Sequence, residues 1–132
     1  MWLTIDLNAD VPIYTQIRNG IIEGILTGEL MPGESLPSVR QLASDLGINL
    51  HTVNKAYGVL KQEGFIRVHR KKGAVINSPE SYRAGEGYYG RLRDQLQPLI
   101  AEARCRGVSV DDFKGICGQI YEHYQARRND DG

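Results

Sequence analysis

Two cysteines, two phenylalanines, one tryptophan and a formal net charge of zero leave several kinds of chemistry without material. Cys105 and Cys117 are too few for a disulfide framework. With His51, His69 and His123 they show no metal-ligand spacing, so no metal and no cofactor is expected. They read as structural or surface thiols, with a redox or metal sensor as the lesser reading. No apolar run approaches the ~18 residues that span a bilayer. Residues 1–10 have neither a basic start nor a long apolar stretch, so no secretory leader is expected. The chain reads as soluble and cytoplasmic. Catalytic material is equally thin, with no Gly-rich phosphate loop and no Ser/His/Asp or Cys/His arrangement. Asp111 and Asp112 are adjacent, so on a helix they point apart and serve its first turn electrostatically. The sequence does not read as an enzyme.

What is present is an ordinary globular composition in 132 residues, 41% hydrophobic and 24% charged, with the charge unevenly placed. Residues 1–34 set Arg18 against Asp6, Asp10, Glu23, Glu29 and Glu34, a net of −4. Residues 35–77 set Arg40, Lys55, Lys61, Arg67, Arg70, Lys71 and Lys72 against Asp45 and Glu63, a net of +5. Residues 78–132 sum to −1. A basic centre between acidic or neutral flanks points to a polyanion met by one face.

Leu3 and Ile5 alternate with polar neighbours and predict a short strand, with Trp2 beside them as packing. Pro12 suits a first helical turn, and Ile13, Ile17, Ile21 and Ile25, with Tyr14 and Leu26, predict a helix to about Gly28. Gly20 and Gly24 weaken it by propensity but permit close packing. After the Pro32-Gly33 turn, residues 38–46 predict a second helix with Val39, Leu42, Ala43 and Leu46 inward. Gly47 ends it. Asn49 then caps a third helix that turns Val53, Ala56, Tyr57 and Leu60 to a core and stops at Gly64. An interval of about three residues between short helices is a helix-turn-helix signal. Phe65, Ile66 and Val68, an Arg70-Lys71-Lys72-Gly73 turn, and Ala74 to Ile76 predict a hairpin, which completes a winged helix-turn-helix.

This domain is expected over residues 1–78, with a C-terminal helical dimerisation domain over residues 79–132. Residues 85–89 read as a Gly/Tyr hinge, and the stretch from Ser78 to Gly90 as either a linker or a helix continuation. Leu92, Leu96, Leu99, Ile100 and Ala103 mark one apolar stripe, and Phe113, Ile116, Ile120, Tyr121 and Tyr124 a second. Gly107-Val108-Ser109 separates them, with Ser109 as N-cap, and residues 127–132 read as frayed. Two such helices cannot bury both faces alone, so Leu92, Leu96, Leu99, Ile100, Phe113, Ile116, Ile120 and Tyr124 are expected to meet a second copy. The fold class is mainly α with a small β-hairpin wing, followed by a two-helix dimerisation hairpin.

The third helix is the one expected to enter a major groove. Its leading edge carries Asn49, His51, Thr52, Asn54 and Lys55. Asn54 has the shape for bidentate readout of an adenine edge, whereas Thr52 and Lys55 suit phosphates. Each alone is equally a solvated surface group. Ser38 and Arg40, opening the second helix, suit a phosphate held by free N–H groups, or else a cap and a surface cation. Arg70, Lys71, Lys72 and Gly73 form a tip able to reach a minor groove, or a charged turn that keeps an edge soluble.

The runs Leu36-Pro37-Ser38-Val39-Arg40-Gln41-Leu42-Ala43 and Gly47 to Tyr57, followed by Leu60 and Glu63-Gly64-Phe65-Ile66, resemble the GntR-type winged helix-turn-helix. Pro12 to Ile17 and Gly28 to Gly33 match its first helix and following turn. The two-helix tail is similar to that of the YtrA-type branch, small bacterial repressors without a large effector-binding domain. The resemblance implies a homodimer on a palindromic double-stranded DNA operator, often of a transporter operon. By position it implies Arg40, Asn49, His51, Thr52 and Asn54 as DNA-facing, and the wing around Lys72-Gly73 near the minor groove. Leu50 and Asn54 stand where other branches often place arginine, and the wing reads Arg-Lys-Lys-Gly-Ala-Val rather than Gly-x-Gly-Thr.

Two other readings compete. One is a protein-interaction adaptor that uses the fold without DNA, against which the +5 segment argues. The other is a sensor of an unknown small-molecule effector, with Tyr82, Tyr88 and Tyr89 lining a pocket or, alternatively, serving as packing.

Overall fold

The computed structural model describes the backbone of residues 3–131 and the side chains of residues 3–128. Trp2 lies outside them. The chain forms α1 (Ile13–Thr27), α2 (Val39–Leu46), α3 (Leu50–Gln62), β1 (Ile66–His69), β2 (Gly73–Ile76), α4 (Glu86–Cys105) and α5 (Val110–Asp131). Residues 3–82 make one compact unit and Arg83–Asp130 a second, so the contact division falls four residues beyond position 78.

In the first unit α1 and α2 both pack on α3, and β1 follows directly from α3. The isoleucine spacing of α1 puts Ile17 and Ile21 in the core, where they meet Leu42, Val53, Leu60 and Ile76. Each is fully buried, worth about 1.5–3 kcal/mol apiece. Gly20 and Gly24 are packing positions: a methyl on Gly20 would run into Leu3 Cδ1, and one on Gly24 would lie 2.9 Å from Leu30 Cδ1. Arg18 clamps α1 to the end of α3, its Nε and Nη2 donating to the Glu63 carboxylate at 2.8 and 2.9 Å.

The expected N-terminal strand does not form. Residues 3–6 have no strand partner, and Leu3 is buried instead. Gln16 satisfies the neighbouring backbone, accepting from Asp6 N at 2.8 Å and donating to the Asp6 and Val11 carbonyls.

The connection between α2 and α3 has the expected length. Gly47 has φ +67°, a conformation that costs a side-chain-bearing residue about 1–2 kcal/mol, and Ile48 N donates to Ala43 O at 3.0 Å. Ser38 caps α2 through its Oγ, which accepts from Gln41 N at 3.0 Å. Asn49 caps α3, its Oδ1 accepting from His51 N at 2.7 Å.

β1 and β2 pair antiparallel with Ile66 opposite Ile76 and His69 opposite Gly73. A bridge between Ser35 and Val75 continues the pairing on the other side of β2. Asn77 closes the base of the hairpin: its Nδ2 donates to Gly64 O, and its Oδ1 accepts from Arg67 Nη1. Gly64 has φ +88°, and a Cβ there would sit 2.6 Å from the Ser81 carbonyl oxygen. Only glycine admits so close a strand of backbone. Beside it Tyr82 stacks on Phe65 with ring centroids 4.6 Å apart, which holds residues 79–82 to this unit.

In the second unit α4 begins at Glu86, so Tyr88 and Tyr89 are helical rather than part of a hinge. Gly87, Gly90 and Pro98 all lie inside it. Ser109 caps α5 as expected, accepting from Asp112 N at 3.1 Å. The tail expected to fray continues α5 to Asp131. No residue of this unit with a described side chain is fully buried. α4 and α5 do not pack closely along their lengths as α1 and α3 do.

Candidate nucleic-acid interface

Sequence spacing on α3 settles which side chains leave the core. With Val53, Ala56, Tyr57 and Leu60 buried, His51, Asn54, Lys55, Gly58 and Lys61 are left exposed and Thr52 half-buried. Asn54, Gly58 and Lys61 recur at helical spacing and form one wall of a groove of about 440 Å³. The start of α2, through Ser38 and Val39, and the wing, through Val68, Gly73 and Ala74, supply the others. Three expected site residues, Ser38, Asn54 and Gly73, therefore share one concavity although 35 positions separate the outer two.

The remaining expected residues are distributed around it. Arg40 stands exposed in the first turn of α2. His51 is exposed on the first turn of α3, and Asn49 spends its Oδ1 on the cap. Lys55 is turned toward α1, with Nζ 4.1 Å from the centre of the Tyr14 ring. Such a cation–π contact is worth about 0.5–1 kcal/mol at an exposed site, so the ammonium has a partner within the fold. Arg70, Lys71 and Lys72 are all exposed at the wing tip.

Two residues outside that set belong to the same surface. Lys61 lines the groove, and its i+7 spacing from Asn54 was a usable signal. Val68 is 65% exposed on β1, an apolar side chain left open on the groove wall.

Below the groove, Tyr57 fixes the position of α2. Its hydroxyl donates to Pro37 O at 2.7 Å, immediately before the Ser38 cap. Burial pushes that hydroxyl above the usual tyrosine range, so it stays a donor. The tyrosines expected to line an effector pocket or to serve as packing each have a ring partner within their own unit. Tyr82 stacks on Phe65 in the first unit, and Tyr88 and Tyr89 meet edge to face in the second.

In the second unit, the residues expected to meet another copy remain open. Leu99, Ile100, Ile116 and Ile120 are 59%, 38%, 52% and 52% exposed, and Leu92, Leu96, Phe113 and Tyr124 are only half-buried. A concavity of about 620 Å³ at the α4–α5 turn has Ile100, Val108 and Phe113 in its wall.

The signature described as "Bacterial regulatory proteins, gntR family" matches residues 13–76, from the start of α1 to the end of β2. The HTH-type transcriptional repressor YtrA of Bacillus subtilis is 38% identical over 109 residues, covering 83% of this chain and 84% of that protein. The chain belongs to the GntR family. Among solved structures, YtrA from Sulfolobus acidocaldarius, a GntR-family transcription factor, is 46% identical with a TM-score of 0.63. That likeness covers 76% of this chain and 99% of the other. A transcriptional antiterminator from Listeria monocytogenes EGD-e reaches a TM-score of 0.86 at 27% identity, over 94% of this chain and 92% of its own. GntR proteins are transcriptional regulators rather than enzymes, and this chain matches the Bacillus subtilis repressor YtrA over most of both lengths. The GntR signature ends at residue 76, so the α4–α5 unit lies outside it.

Proposed function

We propose that this GntR protein is a homodimeric repressor that binds a palindromic operator, with α3 in the major groove and the wing against the adjacent minor groove. The observation that carries the reading is the shared groove. It sets the exposed face of α3 beside the cap of α2 and a wing whose tip holds three successive cations. In this reading Asn54 reads a base edge, and Arg40, His51, Thr52 and Lys61 hold phosphates. Ser38 orients the start of α2, and Arg70, Lys71 and Lys72 follow the minor groove.

Dimerisation is supported by the second unit, which buries no described side chain fully and leaves two apolar stripes open. A second copy, through the same stripes, supplies the packing that each copy lacks. Two α3 helices then address half-sites about 34 Å apart, and linking them makes the second engagement intramolecular.

The test is fluorescence anisotropy on the DNA upstream of the protein's own gene and on a random duplex, across a salt series. A transporter operon, the target that the resemblance implies, is the next promoter to try. Preferential binding that weakens steeply with salt is the expected result. Absence of binding to any duplex at low salt refutes the reading and favours the adaptor.

A further inference from the structure

The wing tip places three cations in succession, Arg70, Lys71 and Lys72, in a turn that lacks the Gly-x-Gly-Thr pattern. Like charges this close repel, so the turn needs something to hold its shape. His69, the last residue of β1, does this. Its Nδ1 accepts from both Lys71 N, at 3.1 Å, and Lys72 N, at 3.2 Å. The arrangement is the imidazole counterpart of an Asx turn, in which a short side chain accepts from backbone N–H groups two or three residues on. The hairpin pairing on either side, His69 opposite Gly73, fixes the strand ends from which the turn is closed.

We propose that His69 is a positioning residue for nucleic-acid binding: its Nδ1 presets the wing tip so that Lys71 and Lys72 meet phosphates already ordered. The inference rests on the operator-binding reading and deepens it. A turn ordered before binding does not lose its backbone freedom on binding, which raises affinity without adding a contact. The role needs the neutral ring with its proton on Nε2, because an Nδ1 that carries a proton donates and no longer accepts. His69 therefore acts as an acceptor rather than as a fourth cation.

Three substitutions in the full-length protein separate these roles. His69→Ala removes the acceptor. His69→Asn keeps an acceptor at the same distance from the backbone, and His69→Lys keeps a cation without an acceptor. Amide exchange at Lys71 and Lys72, followed by NMR without DNA, should quicken about 10-fold in the Ala and Lys variants, as for loss of one net hydrogen bond, and return to within about 2-fold of native in Asn. Affinity for operator DNA should fall about 5-fold in Ala and recover in Asn.

Unchanged exchange in His69→Ala overturns the proposal. So does the opposite ranking in the binding assay, with affinity kept in Lys and lost in Asn, which would mark a direct charge contact. If the native protein binds no duplex at all, the operator reading has failed, and the exchange series alone decides whether His69 orders the tip.

Discussion

At the scale of single residues, the proposed operator contacts divide into two kinds by where each side chain begins. Asn54 stands exposed on the groove wall, and in the proposed complex its amide is the group that chooses between base edges. Arg40 leaves the first turn of α2, where the helix N-terminus already favours an anion, and a guanidinium there adds charge without choice. Asn54→Ala should therefore lower discrimination between operator and random DNA by about 1–3 kcal/mol, with little change on the random duplex. Arg40→Ala should weaken both to a similar extent. Anisotropy titrations of the two variants on the two duplexes check this, and the reverse pattern would sink the assigned roles. Tyr57 offers a prediction about stability. Tyr57→Phe leaves Pro37 O without its donor and should cost about 1 kcal/mol. The sign of its pH dependence follows from the raised ionisation. Below about pH 10 folded and unfolded states both keep the proton, and stability is insensitive to this group. Above it the unfolded chain ionises first, so the native protein loses stability as pH rises, by at most about 1.4 kcal/mol per pH unit. Denaturant melts of native and Tyr57→Phe protein between about pH 9 and 11 should show that excess slope only in the native chain. The cap at Asn49 was legible, and that at Ser38 was legible as the alternative to a phosphate site, because a cap is a local matter of two or three residues. The turn of Lys55 toward Tyr14 was not, because residues 41 positions apart become neighbours only when α1 packs on α3.

At the scale of elements, the helices of the first unit were readable because one apolar stripe both forms a helix and tells it where to pack. Two departures came from elements whose fate depends on a partner. Leu3 and Ile5 carry strand-like alternation, but a strand needs an edge to pair with, and Leu3 instead fills the space above Gly20. α4 carries Gly87, Gly90 and Pro98, all poor helix formers, yet it runs from Glu86 to Cys105. Leu, Arg, Gln, Glu and Ala at its other positions are good formers, which keeps the rest of the cost low without cancelling those three. Glycine thus means different things in different helices. A methyl on Gly58 meets nothing within 4 Å, whereas one on Gly24 meets Leu30 at Cδ1, Cγ and Cβ. Leu30 is 4% exposed, and its N–H bonds to Gly24 O at 2.9 Å, so it has little room to move. Gly58→Ala should raise stability by about 0.5–1 kcal/mol through helix propensity. Gly24→Ala should lower it by about 1 kcal/mol or more, because displacing a packed leucine exceeds that gain. Thermal denaturation of the two variants reads the difference, and a gain at both positions would contradict the packing argument.

At the scale of the whole molecule, charge and hydrophobicity are divided along the chain, and that division was visible without coordinates. The basic segment coincides with α2, α3 and the wing, and the two apolar stripes fall in the second unit. The end of the first unit was less legible. Its last anchor is Tyr82 on Phe65, and no local pattern links a ring to another 17 positions away. The second unit gives the sharpest test of the dimer. With Ile116 and Ile120 both 52% exposed, replacing the pair by glutamate removes no internal core. It places like charges at matching positions on two copies, which a self-complementary interface cannot accommodate. Ile116→Glu with Ile120→Glu should sediment as a monomer at concentrations where the native protein is a dimer. The first unit should keep its thermal transition, because none of its core residues has been changed. Operator affinity should drop by about 100-fold as the second half-site reverts to a separate binding event. The salt dependence should also fall toward half, since each copy now neutralises only its own share of phosphates. A native protein that is monomeric across the same range would remove the dimer, and with it the palindrome. A double variant that stays dimeric would place the interface elsewhere on the chain.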